Sequence, residues 1–182
     1  MARYAAFLRG MNLGRRRISN ADLAAHVQAL GGFAEVATFR ASGNVIVTAE
    51  DGASAEQIAE RLERGLQDAL GYAVPIFLRD AARVRAIAAA QPFPPDQVAA
   101  SNGKLQVAFL AQAPSASARR VALAHATDED RLAIDGAELY WLPSGGMSES
   151  ALDTRAAFGP LGPQTMRTIG TVEQIAAKWF AA

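Results

Sequence analysis

Residues 36–49, VATFRASGNVIVTA, decide the predicted fold because a turn separates two strand-forming runs. Val36–Ala41 and Val45–Ala49 are rich in β-branched and apolar residues, which favour strands. Between them lies Ser42–Asn44, whose Gly and Asn tolerate the positive φ of a tight turn. The stretch therefore predicts a β-hairpin.

A helix is predicted on each side of this hairpin. Before it, residues 19–30 begin with the capping residue Ser19 and carry apolar side chains at helical spacing. After it, residues 54–70 begin with Ser54-x-x-Gln57, the pattern of a capping box. Both helices are expected to pack one apolar face against the hairpin.

Further strands and a linker complete the first half of the chain. Tyr4–Arg9 and Tyr72–Leu78 have strand patterns, and Asp80 can cap a short helix that ends before Pro92. The resulting order, β-α-β-β-α-β, is that of a ferredoxin-like unit. Pro92–Gly103 is rich in Pro and polar residues and is expected to be a linker.

A similar order begins again after the linker. The predicted elements are a strand at Leu105–Ala111, a helix at Ser115–Ala126, a hairpin of Arg131–Asp135 and Glu138–Leu142, a helix at Ser148–Phe158 and a last helix capped by Thr171. We expect an α+β fold of two similar βαββα, ferredoxin-like halves with mixed or antiparallel sheets. Their expected bounds are residues 1–93 and 94–182.

The composition excludes several classes of function. The 182 residues include no Cys, and the two histidines, His26 and His125, are isolated, so no metal site or cofactor is expected. Eighteen basic and eighteen acidic residues balance, which argues against a general attraction to nucleic acid or membranes. No window approaches the ~20 apolar residues of a membrane span, and a cytoplasmic location is the default expectation. Nothing specifies an oligomeric state.

The strongest functional candidate is the segment Leu8–Arg17, LRGMNLGRRR, between the first strand and first helix. Its glycines allow backbone amides to converge on an anion, and Arg9 and Arg15 could donate to a phosphate or carboxylate. Residues 1–21 contain five Arg and no acidic residue. The alternative is an ordinary turn in which the arginines are solvated or paired.

Three other turns carry similar polar residues. Ser42 and Asn44 could bind a ligand at the hairpin tip, although turn geometry alone explains a Gly-Asn pair. Pro143–Ser148 is a Gly-rich turn, and Thr165–Thr171 places Arg167 before the last helix. Each of these turns has a purely structural reading as well.

These turns suit the binding of an anion better than catalysis, because they contain no His and no acid, and Glu149 directly follows the Gly-rich turn. No catalytic residue is assigned. The leading hypothesis is a small anionic or phosphorylated ligand, with the following ligand-binding residues: Arg9, Asn12, Gly14, Ser42, Asn44 and Arg167. The alternatives are nucleic-acid binding through the basic N-terminal loop, or an enzyme of unrecognised type.

These same segments resemble a bacterial family called domain of unknown function 1697. The family pattern has an opening Leu-Arg-Gly-Ile-Asn-Val-Gly-Gly, matched by Leu8–Arg15, and a Ser-Gly-Asn hairpin, matched within Thr38–Asn44. A later Tyr-x-x-Pro-x-Gly turn is matched by Tyr140–Gly145. The resemblance implies an α+β fold with two similar halves and no assigned reaction.

The sequence also departs from the family pattern. Ala41 replaces a Gln before Ser-Gly-Asn, and Arg15 replaces the second Gly of the opening motif. Thr168–Gly170 stands where the family has Asn-Trp-Asn, while Thr165, Arg167 and Thr171 match. If the Gln and the two Asn side chains of the family pattern contact a ligand, this chain has lost all three amides.

Overall fold

The computed structural model describes residues 1–12, 17–50, 52–101 and 104–181. The chain divides into two compact units. The first consists of Met1–Ala86 together with Ile175–Ala182, and the second of Ile87–Gln174. The expected division of the chain after residue 93 stays a prediction about folding domains.

The first unit is a four-stranded antiparallel sheet with helices. Its elements are β1 (Ala2–Leu8), α1 (Asn20–Ala29), β2 (Phe33–Thr38), β3 (Asn44–Ala49), α2 (Ala55–Leu70), β4 (Ile76–Asp80) and α3 (Ala81–Ala88), whose last residues fall in the second unit. The strand order is β2-β3-β1-β4. This is the ferredoxin-like arrangement that the sequence predicts.

The second unit repeats that architecture. Its elements are α4 (Pro95–Ala100), β5 (Gln106–Leu110), α5 (Ala116–Leu123), β6 (Arg131–Asp135), β7 (Glu138–Leu142), α6 (Thr154–Phe158), β8 (Gln164–Thr168) and α7 (Ile169–Trp179), whose end belongs to the first unit. The strand order is β6-β7-β5-β8, and all pairs are antiparallel. The prediction of an α+β fold with two similar halves is confirmed.

The two sheets also agree in register. Phe7 of β1 pairs with Asn44 of β3, and at the equivalent position Phe109 of β5 pairs with Glu138 of β7. Along the other edge of each central strand, Ala5 pairs with Arg79 and Val107 with Arg167. Asn44 and Glu138 are therefore equivalent residues, and so are Arg79 and Arg167.

Each unit has its own core on the helical face of its sheet. In the first, α2 buries Ile58, Leu62 and Leu66 completely, and the capping box of Ser54 and Gln57 begins this helix as predicted. Burial of each such side chain contributes about 1.5–3 kcal/mol. The second core contains the following buried residues: Ala108, Leu110, Ala122, Leu132, Ile134, Leu139, Trp141, Ala157, Phe158 and Leu161.

Two helical segments differ from the prediction. The expected linker Pro92–Gly103 contains the helix α4, which begins at Pro95, where a fixed φ suits the first helical turn. The helix expected over Ser148–Phe158 is only the five residues of α6. Its cap is Asp153, whose carboxylate accepts a hydrogen bond from Ala156 N at 3.0 Å, because the preceding residues fold into a separate turn.

The segment Thr165–Thr171, expected to be a turn before the last helix, is the strand β8 followed by the first turn of α7. Thr165 and Arg167 are the buried positions of this strand. Because polar residues occupy its inward positions, the sequence lacks the apolar alternation that identifies a strand. Thr171 lies inside α7 rather than at its cap.

Among the described residues, no helix combines the length and apolar character needed to cross a lipid bilayer.

Candidate functional site

Two loops of the first unit meet at one end of its sheet. The first, residues 9–19, connects β1 to α1, and the second, residues 39–43, connects β2 to β3. Leu8 N donates to Gly43 O at 2.8 Å, and Phe39 N donates to Asn44 O at 3.0 Å. We call these two segments the loop pair.

Asn12 joins the two loops through its side-chain amide. Its Nδ2 donates to Ala41 O at 2.6 Å, and its Oδ1 accepts from Ile18 N at 2.9 Å. The first bond fastens the β1–α1 loop to the hairpin, and the second closes the loop on itself. Asn12 is therefore a structural bridge whose amide is already engaged.

Asn44 and Ser42 stabilise the hairpin tip from within. The buried Nδ2 of Asn44 donates to Phe39 O at 2.7 Å and to the Ser42 hydroxyl at 3.0 Å. These bonds brace the five-residue connection between β2 and β3. The structure thus brings Asn12, Ser42 and Asn44 together, as members of one hydrogen-bonded frame.

Gly43 is required by close packing between the loops. A Cβ atom at this position would lie 2.7 Å from Met11 Cγ and 3.0 Å from Leu8 Cβ. Its φ of 77° also lies in the left-handed region. Met11, which is buried, can therefore pack over the hairpin tip only because residue 43 lacks a side chain.

The loop pair contains both non-glycine residues with positive φ among the described residues. These are Asn12, with φ of 56°, and Arg40, with φ of 57°. Asn adopts this conformation more readily than most residues, whereas Arg pays a steric cost of about 1–2 kcal/mol. Backbone conformations of this kind concentrate at functional sites.

The described part of the loop pair contains three arginines. Arg9, Arg17 and Arg40 are exposed. Arg17 Nη1 lies 3.5 Å from Asn12 O, and the Arg40 guanidinium lies 5.4 Å from the centre of the Phe39 ring. Among the described residues, the Arg9 side chain shows no hydrogen bond or ion pair. The predicted site residues Gly14 and Arg15 lie outside the described residues.

Arg167 belongs to the second unit and has a different environment. It lies on β8, where it is 8% exposed, and its Nη1 donates to Thr165 Oγ1 at 3.0 Å and to Met166 O at 2.7 Å. Burial lowers the pKa of its guanidinium to about 10. Its equivalent, Arg79, donates likewise to the carbonyl of the preceding residue, Leu78, at 2.8 Å.

The Gly-rich turn Pro143–Ser148 is organised by a carboxylate that sequence reasoning missed. Asp130, only 3% exposed, accepts hydrogen bonds from Trp141 Nε1 at 3.1 Å, Ser144 N at 3.1 Å, Ser144 Oγ at 2.9 Å and Ser150 Oγ at 2.6 Å. Burial alone would raise the pKa of this carboxyl, but these donors stabilise its charge and the pKa is lowered. The turn therefore has a structural explanation, and the Ser144 hydroxyl is engaged in it.

The described part of the loop pair contains guanidinium groups and no His, Asp or Glu side chain. Within the described residues, no three His, Asp or Glu side chains are grouped as metal ligands. The loop pair contributes guanidinium and amide groups to its surroundings. Guanidinium groups bind carboxylate and phosphate oxygens in many proteins.

A family model described as a protein of unknown function (DUF1697) matches residues 1–140. The chain belongs to this family. The match contains both segments of the loop pair and ends before the segment Thr165–Thr171, where the sequence departs from the family pattern. No curated protein matches the chain.

The fold is also similar to that of a solved structure. A conserved bacterial protein from Streptococcus pneumoniae aligns with a TM-score of 0.68 and 20% sequence identity, over 98% of this chain and 99% of that one. At this identity the likeness establishes the shared architecture. The structural alignment covers both units, whereas the family model ends within the second.

Proposed function

We propose that the protein binds a small anionic or phosphorylated ligand at the loop pair, with the Arg9 guanidinium as the anchoring group. The hydrogen-bonded frame of Asn12, Ser42 and Asn44 holds the loops in place around it. The proposal assigns Gly14 a place in the same loop, as one of the glycines that let backbone amides approach an anion.

The observation that carries this proposal is the contrast between equivalent loops of the two units. In the second unit, residues 111–115 connect β5 to α5, and residues 136–137 connect β6 to β7. In the first unit the same two connections are residues 9–19 and 39–43. Since the second sheet closes in the same register with shorter loops, the fold does not require the additional length.

Charge and backbone conformation support a role for that additional length. Arg9 extends from a backbone that is fixed by the hydrogen bond from Arg9 N to Pro75 O at 3.0 Å. A side chain on a fixed backbone loses less conformational freedom when it binds a ligand. A forked guanidinium beside left-handed backbone residues suits a phosphate or carboxylate.

A role for Arg167 in binding an anionic ligand is a separate prediction. It belongs to the second unit, and its guanidinium donates to neighbours on its own strand. The proposal for the loop pair does not depend on it.

Thermal-shift measurements against nucleotides, sugar phosphates and small dicarboxylates test the proposal. A ligand at about 100 times its dissociation constant stabilises the protein by ~2.7 kcal/mol, which gives a clear rise in Tm. Arg9→Gln should abolish the rise while leaving the Tm of the free protein nearly unchanged. Arg119→Gln, a change of another exposed arginine on α5, should leave the rise intact.

Two results would count against the proposal. One is the absence of any rise across the three classes of anion at low ionic strength. The other is a rise that Arg9→Gln and Arg119→Gln reduce equally, since that pattern indicates nonspecific attraction to positive charge.

A further inference from the structure

A second surface of the first unit combines aromatic rings with cations. The rings of Phe39 and Trp179 are in edge-to-face contact, with centroids 5.5 Å apart and planes inclined by 73°. Lys178 Nζ lies 4.4 Å from the centre of the Trp179 ring, and the Arg40 guanidinium lies 5.4 Å from that of Phe39. We call these four residues the aromatic–cation cluster.

The cluster is accessible to a partner. Arg40 and Lys178 are exposed, and the two rings are half-buried. The other tryptophan of the chain, Trp141, is only 2% exposed and lies in the second core. Trp179 is therefore the tryptophan that a molecule in solution can reach.

Trp179 is held in position by Arg3. Arg3 Nη1 donates to Trp179 O at 2.8 Å, its Nε donates to Thr48 Oγ1 at 3.1 Å, and its Nη2 pairs with Glu35 at 2.6 Å. These bonds tie the end of α7 to strands β1, β2 and β3. The ring consequently projects from a fixed backbone, while the flexible Lys178 chain can move from its face.

The combination of groups indicates the class of partner. Planar rings that are partly open to solvent offer stacking surfaces for bases, and adjacent cations neutralise a phosphodiester backbone. A simple anion would use Lys178 and Arg40 but gain nothing from the rings. A neutral apolar partner would leave both cations without a role.

We propose that the aromatic–cation cluster binds single-stranded nucleic acid, with a base stacked on the Trp179 ring and phosphates held by Lys178 and Arg40. The shared chemistry of single-stranded DNA and RNA fits this surface. The two proposed sites share Arg40, but the nucleic-acid site depends on Trp179 and Lys178, whereas the anion site depends on Arg9.

Fluorescence anisotropy with labelled oligothymidylate and oligouridylate of about 12 nucleotides tests the proposal, since a single-strand site of this kind covers ~4–16 nucleotides. Trp179→Ala should weaken binding about 5- to 150-fold, the equivalent of ~1–3 kcal/mol for one stacked base. Lys178→Gln should make the slope of log affinity against log salt shallower by about 0.7, the value for one phosphate contact.

A second measurement, intrinsic tryptophan fluorescence, does not depend on correct folding of Trp179→Ala. A base stacked on Trp179 should quench part of the intrinsic tryptophan fluorescence of the wild-type protein. Trp179→Phe retains a ring against Phe39 and should lose that quenching, because Trp141 is buried. Arg9→Gln should leave both signals unchanged, which separates this proposal from that for the loop pair.

The outcomes are distinct. Tighter binding of either oligonucleotide, or equal binding of both, supports the proposal when it depends on Trp179. Failure of both oligonucleotides to bind at about 50 mM salt overturns it, because phosphate contacts are strong under those conditions. Equal displacement by poly-glutamate, with no effect of Trp179→Ala or Trp179→Phe, also overturns it and indicates a site for any polyanion.

Discussion

Each unit has its own four-stranded sheet with an equivalent strand order, but the connections at one end of the two sheets differ in length. In the first, residues 9–19 and 39–43 form the loop pair, whereas in the second the equivalent connections are residues 111–115 and 136–137. The matching register shows that the longer connections are additions to a common architecture. The comparison therefore distinguishes the connections that the fold requires from the additional loop residues of the first unit.

The units also differ in how they fix their irregular segments. The loop pair is held by neutral amides, chiefly those of Asn12 and Asn44. The turn that follows β7 is held by the carboxylate of Asp130. The same task is thus performed by uncharged groups in one unit and by a charged group in the other, so the two should respond differently to pH.

The largest expected effect comes from adding a side chain at Gly43, where the two loops pack together. Gly43→Ala should lower the free energy of unfolding by about 3 kcal/mol, because it adds a clash with Met11 to the cost of a left-handed alanine. Gly10→Ala is the matched control, since Gly10 has a similar φ of 76° and no atom within 4 Å of its Cβ position. It should cost about 1–2 kcal/mol. Equal urea midpoints for the two variants would show that the loops do not pack as described.

The second effect tests the charged turn of the second unit. Asp130→Asn should cost about 2–3 kcal/mol at pH 7, because an amide cannot accept all four hydrogen bonds. The folded pKa of Asp130 is lowered, so its stabilisation is complete above the unfolded pKa of about 3.9 and is lost as pH falls through the folded pKa. Urea unfolding between pH 7 and pH 2 should show the gap between wild type and variant narrowing in acid. A gap independent of pH would contradict the assignment.

The corresponding change in the loop pair should be smaller and insensitive to acid. Asn12→Ala removes two hydrogen bonds and places alanine at a φ of 56°, for a cost of about 2 kcal/mol. Asn12→Gly removes the same bonds without the steric cost and should lose about 1 kcal/mol less. Both losses should be the same at pH 7 and pH 4. If the glycine variant is no more stable than the alanine variant, the left-handed conformation of Asn12 is not a source of strain.

The smallest expected effect on stability is that of Arg9→Gln. The exposed Arg9 side chain has no described partner, so the change should alter the free energy of unfolding by about 0.5 kcal/mol or less. Its effect should appear only as a lost thermal shift with an anionic ligand. A large loss of stability in the free protein would instead assign Arg9 a structural role.

The local features of the fold were predictable because they depend on neighbouring residues. Ser19, Ser54 and Ser115 cap their helices as their positions indicate, and the hairpin around residues 136–137 has the predicted bounds. Capping and tight turns are decided over three or four residues. Their signals therefore survive in a single sequence.

The features that the sequence concealed depend on distant partners. Asp130 meets donors that are 11, 14 and 20 residues away, and no spacing rule connects them. The strand β8 escaped detection because its buried positions are Thr165 and Arg167 rather than apolar residues. The aromatic–cation cluster joins Phe39 to Trp179, across most of the chain.

The sequence identified candidate residues but not their contacts. Polar residues at turns drew attention to Asn12, Ser42 and Asn44, and their role in binding a ligand stays a prediction. Only the hydrogen bonds show that the Asn12 amide joins the two loops and that the Asn44 amide braces the hairpin tip through Phe39 and Ser42. The Arg9 side chain has no partner among the described residues, and its role in binding stays a prediction.

The assignment of Ile175–Ala182 to the first unit has a consequence for synthesis of the protein. The ribosome produces residues 1–86, then the entire second unit, and only afterwards the segment that carries Trp179 and its contact with Arg3. At about 5–20 residues per second, the first unit waits several seconds for its final helical segment. During that interval Phe39 and Arg3 lack their contacts with Trp179, so the nascent chain presents an incomplete unit to chaperones until translation has passed the second unit.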